Sequence, residues 1–358
     1  MTPPVDRPVA PTPGDEHTDS LLRTHDGLQL HVRAEGPIDA PVAMVLAHCW
    51  TSDHDSWRYQ LRDLRARYGH DLRIVTYDHR GHGQSDPAPK HCATIENLGR
   101  DLGAVIDEYA PKGRLVLAGH SIGGMTVMEL GLQRPELFRE RVGGVCFVAT
   151  SGGELRSVTL GLPDIGPWVK DHIPYVLAFR SRTLSRKQRL RAPIIESLVV
   201  RRFLFGDTMR LRDHMLTVEG LVNVPGTTMT GFFEDLMNHE RHGHLGDTLA
   251  DIPTLVLVGD RDLLTPPEHA RKLASHMPGA RLIISPGAGH MLPLERDRHV
   301  SDMLCSLVEP LLPSPAHDVP VPGGEPAPSR REEGRDPAQS AVRAGPQRET
   351  GSPTEEES

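Results

Sequence analysis

Residues 20–312 read as an α/β fold: a mostly parallel central sheet flanked by helices, with a helical segment over residues 151–250 inserted after the sixth strand. Three observations carry this reading. Up to Thr150, apolar runs of strand length alternate with longer helix-compatible stretches, the order that parallel strands with helical crossovers require. From Ser151 to about Asp251 the pattern changes to longer helix-like segments, and strand logic resumes at Thr254. The residues suited to chemistry stand just past strand ends, where open parallel sheets place them.

The elements follow in order. Residues 1–19 are proline-rich and expected to be flexible. They lack the basic start and apolar core of a signal peptide. Residues 21–34 alternate in character around Asp26-Gly27, a hairpin signal. The apolar run 42–48 is a strand that runs into Cys49-Trp50. Ile74-Val75-Thr76-Tyr77 is another, followed by Asp78-His79-Arg80-Gly81-His82-Gly83-Gln84-Ser85. That glycine-rich bend lacks the lysine and hydroxyl of a Walker loop, so it is assigned to scaffold. Val145-Cys146-Phe147-Val148 is a buried strand, with Cys146 as a small core residue. Residues 313–358 are rich in Pro, Gly, Ser, Glu and Arg and bury too little to offset ordering entropy, so disorder is expected.

The most informative stretch is Leu115-Val116-Leu117-Ala118-Gly119-His120-Ser121-Ile122-Gly123-Gly124. A serine flanked by glycines at i−2 and i+2, between a strand and a helix, is a nucleophile elbow. The tight turn forces the serine into a strained backbone, and glycines without Cβ let strand and helix approach. The helix N-terminus favours a developing negative charge. A bare G-x-S-x-G also occurs as an ordinary turn, so its partners decide. Such a serine needs a histidine base and a carboxylate, in the chain order Ser, Asp or Glu, His. Thr254-Leu255-Val256-Leu257-Val258-Gly259 is a strand with Asp260-Arg261-Asp262 at its end, and a strand at 281–286 leads into Gly287-Ala288-Gly289-His290.

On these motifs the chain resembles the α/β-hydrolase superfamily over roughly residues 20–312. The resemblance implies Ser121 as nucleophile, Asp262 as acid and His290 as base. Gly259-Asp260-Arg261-Asp262 matches the family's G-x-x-D, which favours Asp262 over Asp260. Asp260 has the ordinary reading of a turn carboxylate on a backbone amide. Glu154 is a more distant choice, because some members carry the acid after the sixth strand. His48-Cys49-Trp50 resembles the H-G-x turn, which implies the backbone N–H groups of Trp50 and Ile122 as an oxyanion hole. Cys49 departs from the usual glycine there, and a Cβ resists positive φ. The resemblance makes residues 151–250 a cap and implies a serine esterase of carboxylesterase or small-lipase kind. It would cleave a carboxylic ester with an apolar acyl or alcohol part through an acyl-enzyme. Thioesterases, C–C bond hydrolases and cofactor-free perhydrolases share the triad. A non-catalytic binding protein on the same scaffold is the reading from another class.

Composition sets the remaining expectations. The net charge of −8 argues against general nucleic-acid binding. No apolar stretch approaches a membrane span. Four unpaired cysteines point to a reducing cytoplasm without disulfides. A small-molecule ester is the expected partner, with no cofactor and no metal, and the oligomeric state is not legible. His239, His242 and His244 lack H-E-x-x-H spacing and read as surface histidines. The cap concentrates aromatics and methionines, Trp168, Tyr175, Phe179, Phe203, Phe232 and Phe233 among them. They read either as an apolar acyl pocket or as the cap's own core. It also concentrates arginines between Arg180 and Arg212. A solvated helical surface is the ordinary reading; docking to an anionic lipid interface or an acidic carrier is the second.

Overall fold

Eight strands form one sheet in a computed structural model that describes residues 17–162 and 165–313. They are β1 (His17–Arg23), β2 (Gln29–Glu35), β3 (Val42–Ala47), β4 (Leu72–Tyr77), β5 (Arg114–His120), β6 (Val142–Val148), β7 (Thr254–Gly259) and β8 (Arg281–Ser285). The order across the sheet is β1-β2-β4-β3-β5-β6-β7-β8. β1 and β2 form the expected antiparallel hairpin, β2 runs antiparallel to β4, and every pairing from β4 to β8 is parallel. The expectation of flexibility over residues 1–19 fails for its last three residues. Residues 17–19 belong to β1, with His17 paired to Glu35 and Asp19 bonded to Arg33. Cross-strand pairing there overrides a weak local preference. The expectations for residues 1–16 and for the tail from 314 onward lie outside the described residues.

Both faces of the parallel strands are covered, which is why they read as continuous apolar runs. Side chains alternate across the pleat. In β3, Ala43 and Val45 enter one core layer while Val42, Met44 and Leu46 enter the other. The first layer packs against α2 (Ile95–Tyr109), α3 (Ile122–Gln133) and α11 (Pro267–Ser275); the second packs against α1 (Arg58–Tyr68) and α13 (Asp297–Val308). α4 (Pro135–Arg141) and α12 (Leu292–Glu295) are short connectors. Cys146 is buried in the second layer.

Between β6 and β7 the elements are helical: α5 (Gly166–Thr183), α6 (Arg186–Arg191), α7 (Ile194–Val199), α8 (Leu211–Asn223), α9 (Gly226–Leu236) and α10 (Leu245–Thr248), with a π-helical turn over Val200–Leu204. Among the described residues, this segment shares its core with the rest of the fold. Leu177, Leu221, Val222 and Met229 pack in one cluster with Cys49, Met291 and Leu294 of the sheet's own loops.

The bend after β4 is the scaffold its sequence predicts. The Asp78 carboxylate accepts the N–H groups of His54 and Gln84. Arg80 is fully buried and forks across Asp101 of α2, bonding both oxygens at 2.7 Å, and it also reaches Asp26 in the hairpin turn. One guanidinium thus ties three elements. Arg80→Ala leaves the Asp101 charge buried without its partner, and we expect a loss of about 3–5 kcal/mol in urea unfolding. A loss below about 1 kcal/mol would show that the network is not structural in this sense.

Candidate active site

Ser121 stands between β5 and α3 with φ 56° and ψ −117°, a conformation that L-residues rarely adopt. The glycines around it have a measurable reason. A Cβ on Gly119 would lie 2.3 Å from the carbonyl carbon of Gly123. A Cβ on Gly123 would lie 2.2 Å from Ala47 O and 2.8 Å from His48 O. The end of β3, the end of β5 and the first turn of α3 therefore meet with no room for a methyl group. The Ser121 N–H donates to Val148 O at 2.8 Å, and Thr150 Oγ1 donates to Ser121 O at 2.7 Å.

The turn after β3 is fixed by its histidine. His48 Nε2 accepts the His79 N–H at 2.8 Å, and its Nδ1–H donates to Cys49 O at 2.7 Å. Burial holds this ring neutral, well below the usual histidine range. The positive φ in this turn falls on Thr51 (62°), not on Cys49, so the Cβ of Cys49 meets no backbone penalty. The N–H groups of Trp50 and Ile122 have no hydrogen-bond partner among the described residues.

Asp262 and His290 meet across two loops. His290 Nδ1 lies 2.8 Å from Asp262 Oδ2, and both residues are buried. Asp262 also accepts the N–H groups of Leu264 and Thr265 and the Thr265 hydroxyl. It is thus a fully satisfied buried carboxylate, the form that a buried charge requires. Asp260 is exposed and accepts the Gly287 N–H at 2.7 Å, the turn role its position predicts. Glu154 is exposed and pairs with Lys272.

Sequence reasoning missed what holds the histidine. The N–H groups of His290 and Met291 both donate to Leu204 O, at 2.8 and 3.1 Å, and the Asp207 N–H donates to Gly287 O. The helical insertion thus grips the histidine loop through its backbone. Glu295 completes the grip: its carboxylate accepts the Gly289 N–H and, at 2.8 Å, the Gly206 N–H. Burial pushes Glu295 up to about 7, against the pull of those two N–H groups. His120, pushed down to about 3 by burial, donates Nε2–H to His290 O at 2.8 Å. No local pattern marks Glu295 or Leu204, because their partners lie on other elements.

Two of the three histidines read as surface residues are instead buried. His239 Nε2 bonds Ser151 O at 3.1 Å, and His242 lies against Glu240 and the His276 ring. They seat the segment before β7 against the loop that follows β6 and the end of α11, long-range contacts that local polarity does not reveal. The one cluster with metal-ligand spacing among the described residues is His31, His54 and Asp78. Asp78 Oδ1 accepts the His54 N–H and the His54 ring, Oδ2 accepts the Gln84 N–H, and the His31 ring lies 3.2 Å from Oδ2, so these oxygens are engaged within the protein.

Ser121 and His290 line one cavity with Trp50, Thr51 and Thr265. Apart from Lys170, its other walls are apolar, among them Met125, Val158, Ile173, Leu177, Phe203 and Phe233. The insertion's aromatics therefore divide. Phe203 and Phe233 face the cavity, Phe232 is core, and Trp168, Tyr175 and Phe179 are exposed.

A family model described as the alpha/beta hydrolase fold matches residues 42–297. The chain belongs to the α/β-hydrolase family. It is a hydrolase by that membership, with relatives named as hydrolases and lactonases. It is 26% identical over 276 residues to the uncharacterized hydrolase YugF of Bacillus subtilis, covering 74% of this chain and 89% of that one. A stretch of 118 residues is 35% identical to 3-oxoadipate enol-lactonase 1 of Acinetobacter baylyi, spanning 33% of this chain and less than half, 41%, of that relative. Among solved structures, the esterase RhEst1 from Rhodococcus sp. superposes with a TM-score of 0.65 at 19% identity, covering 82% of this chain and 99% of that one. At that identity the likeness concerns the fold. No helix among the described residues of this α/β-hydrolase is long and apolar enough to cross a membrane.

The Glu295 grip makes stability depend on pH. Folded, Glu295 keeps its proton up to about pH 7; its ordinary value is 4.5. Between those values the folded state binds more protons than the unfolded one. Its contribution is complete at the acid end and is lost as pH rises through the window. In thermal unfolding across this range, Glu295→Gln should flatten a slope worth roughly 1–3 kcal/mol. Parallel pH profiles for wild type and variant would refute this.

Proposed function

We propose that this α/β-hydrolase cleaves carboxylic esters with a small apolar acyl part through an acyl-enzyme. The observation that carries the proposal is the convergence of a strained, elbow-held Ser121 on the cavity of His290, whose Nδ1 is bonded to the buried Asp262. In this reading His290 Nε2 takes the Ser121 hydroxyl proton as Oγ attacks the ester carbonyl. Asp262 fixes the tautomer with Nδ1–H and stabilises the imidazolium that forms. The negative oxygen is received by the unpartnered N–H groups of Trp50 and Ile122, each worth roughly 3 kcal/mol of transition-state stabilisation. The tetrahedral intermediate collapses, the alkoxide leaves with the proton from His290, and the acyl group stays on Oγ. Water then gives its proton to His290 as it attacks the acyl carbon, and the bond from that carbon to Oγ breaks as His290 returns the proton to Ser121 and the acid leaves.

The cavity supports the acyl assignment. Its volume is about 150 Å³, and apart from Cys49, Thr51, Thr265, Lys170, Ser121 and His290 its walls are aliphatic and aromatic. An apolar void of ~150 Å³ takes a ligand the size of benzene. Acyl groups of about six carbons or fewer are therefore favoured over long chains by that volume.

The test is hydrolysis of p-nitrophenyl esters of graded length. Rates should peak at short acyl chains and fall for long ones. Ser121→Ala should lower kcat more than about ten-thousandfold, and Asp262→Asn about ten-thousandfold, with the fold intact. Full activity in folded Ser121→Ala would sink the mechanism. A preference for long chains would sink only the assignment of acyl size.

A further inference from the structure

The insertion exposes a surface that the proposed reaction does not use. On α5, Ile165 at its N-cap, Trp168, Tyr175, Val176 and Phe179 are spaced so that 3.6 residues per turn puts them on one helix face. Trp168 is 64% exposed and Phe179 66%. On α7, Ile194 is 67% exposed and Leu198 64%, one turn apart. Arg180 of α5 pairs with the buried Glu196 of α7, which ties the two helices together. Single exposed apolar residues are ordinary, but a row of them on one helix marks an interaction surface. The opposite side of α5, through Ile173, Pro174 and Leu177, lines the cavity.

Charge identifies the occupant. Residues 165–215 carry eleven Lys and Arg against four Asp and Glu, in a chain whose net charge is −8. The acids in this stretch other than Asp171 are engaged by arginines: Glu196 by Arg180, Asp207 by Arg261, Asp213 by Arg58 and Arg210. Arg182, Lys187, Arg191, Arg201, Arg202 and Arg212 are exposed and make no ion pair among the described residues. An acidic protein partner would need the cations but not a row of Trp, Tyr and Phe. Exposed aromatics in one helical segment with exposed, unpaired arginines and lysines are the composition of helices that lie in a lipid headgroup layer.

We propose that the outer face of α5, with α7, docks this protein onto an anionic phospholipid surface. The aromatic side chains enter the headgroup layer and the unpaired cations meet lipid phosphates. The acidic remainder of the chain is repelled, which orients the molecule with α5 between the lipid and the cavity. Docking does not depend on the reaction that the cavity performs.

The full chain is sedimented with vesicles of phosphatidylcholine alone and of phosphatidylcholine mixed with phosphatidylglycerol. Binding is expected to the mixed vesicles only, to weaken as salt rises, and to shift Trp168 emission to the blue. Trp168→Ser with Phe179→Ser and Leu198→Ser should abolish binding. Arg182→Gln with Lys187→Gln and Arg191→Gln should weaken it roughly fivefold per cation, about a hundredfold together. All six positions are exposed, so melting temperatures should stay at the wild-type value; if the apolar variant fails to fold, the charge variant still decides. No binding to mixed vesicles, equal binding to phosphatidylcholine alone, or binding that survives either variant overturns the proposal. So does equally tight binding of polyglutamate that ignores Trp168 and Phe179, which would mean an acidic protein partner. A dimer that dissociates in the apolar variant, without vesicle binding, would assign the face to a second copy.

Discussion

The approach of β3, β5 and α3 at Gly119 and Gly123 is the constraint on which the site depends. A serine at φ 56° carries strain of about 1–3 kcal/mol, and it persists only if its surroundings leave no alternative. Here they leave none. The Ser121 N–H is held by Val148 O, its carbonyl by Thr150, and a Cβ on Gly124 would lie 2.7 Å from that threonine's side chain. The same crowding brings His48 O against Gly123, so the turn carrying Trp50 sits beside the first turn of α3. Two unpartnered N–H groups and one strained hydroxyl are thus consequences of a single packing event, and a methyl group at Gly123 would disturb all three.

The histidine is fixed by a different principle. Its loop is pressed on β7, where a Cβ on Gly259 would fall 2.1 Å from Ala288 O. On the other side it is bonded to Leu204 O and, through Glu295, to Gly206. The insertion that supplies the cavity's apolar wall also holds the backbone of His290. Phe203 lines the cavity, and the next residue accepts from His290. The wall residue and the residue that holds His290 are therefore neighbours along the chain. A substitution that reshapes the wall near Phe203 acts on the histidine as well, so pocket size and the position of His290 are coupled.

The difference between what the sequence disclosed and what it did not follows the range of the interactions. Strand runs, the hairpin at Asp26-Gly27 and the elbow glycines are local signals. Each depends on residues within a few positions, and each lies where expected. The preference for Asp262 over Asp260 comes from the resemblance to the family's G-x-x-D, itself a short local pattern, and the structure brings Asp262, not Asp260, to His290. Glu295 and Leu204 were invisible because each is ordinary in its own segment and acquires meaning only from a partner on another element. His239 and His242 differ from expectation for the same reason: a polar neighbourhood in sequence is buried by contacts with Ser151 and His276. Residues 17–19 became a strand only because β2 offered a partner.

Composition alone could not divide the insertion's aromatics, because helical period gives two faces and does not say which one turns inward. Packing divides them. Ile173, Pro174 and Leu177 face the cavity, leaving Trp168 and Phe179 on the other side of the same helix. The charges divide in parallel. Arg58, Arg180 and Arg210 neutralise the buried Glu196 and Asp213, so those arginines belong to the fold. Buried carboxylates require such partners, whereas exposed arginines without acids contribute nothing to stability. The arginines and lysines left over are therefore unexplained by folding. They share a segment with apolar side chains that folding also leaves in water, and a single external surface, anionic outside and apolar beneath, satisfies both.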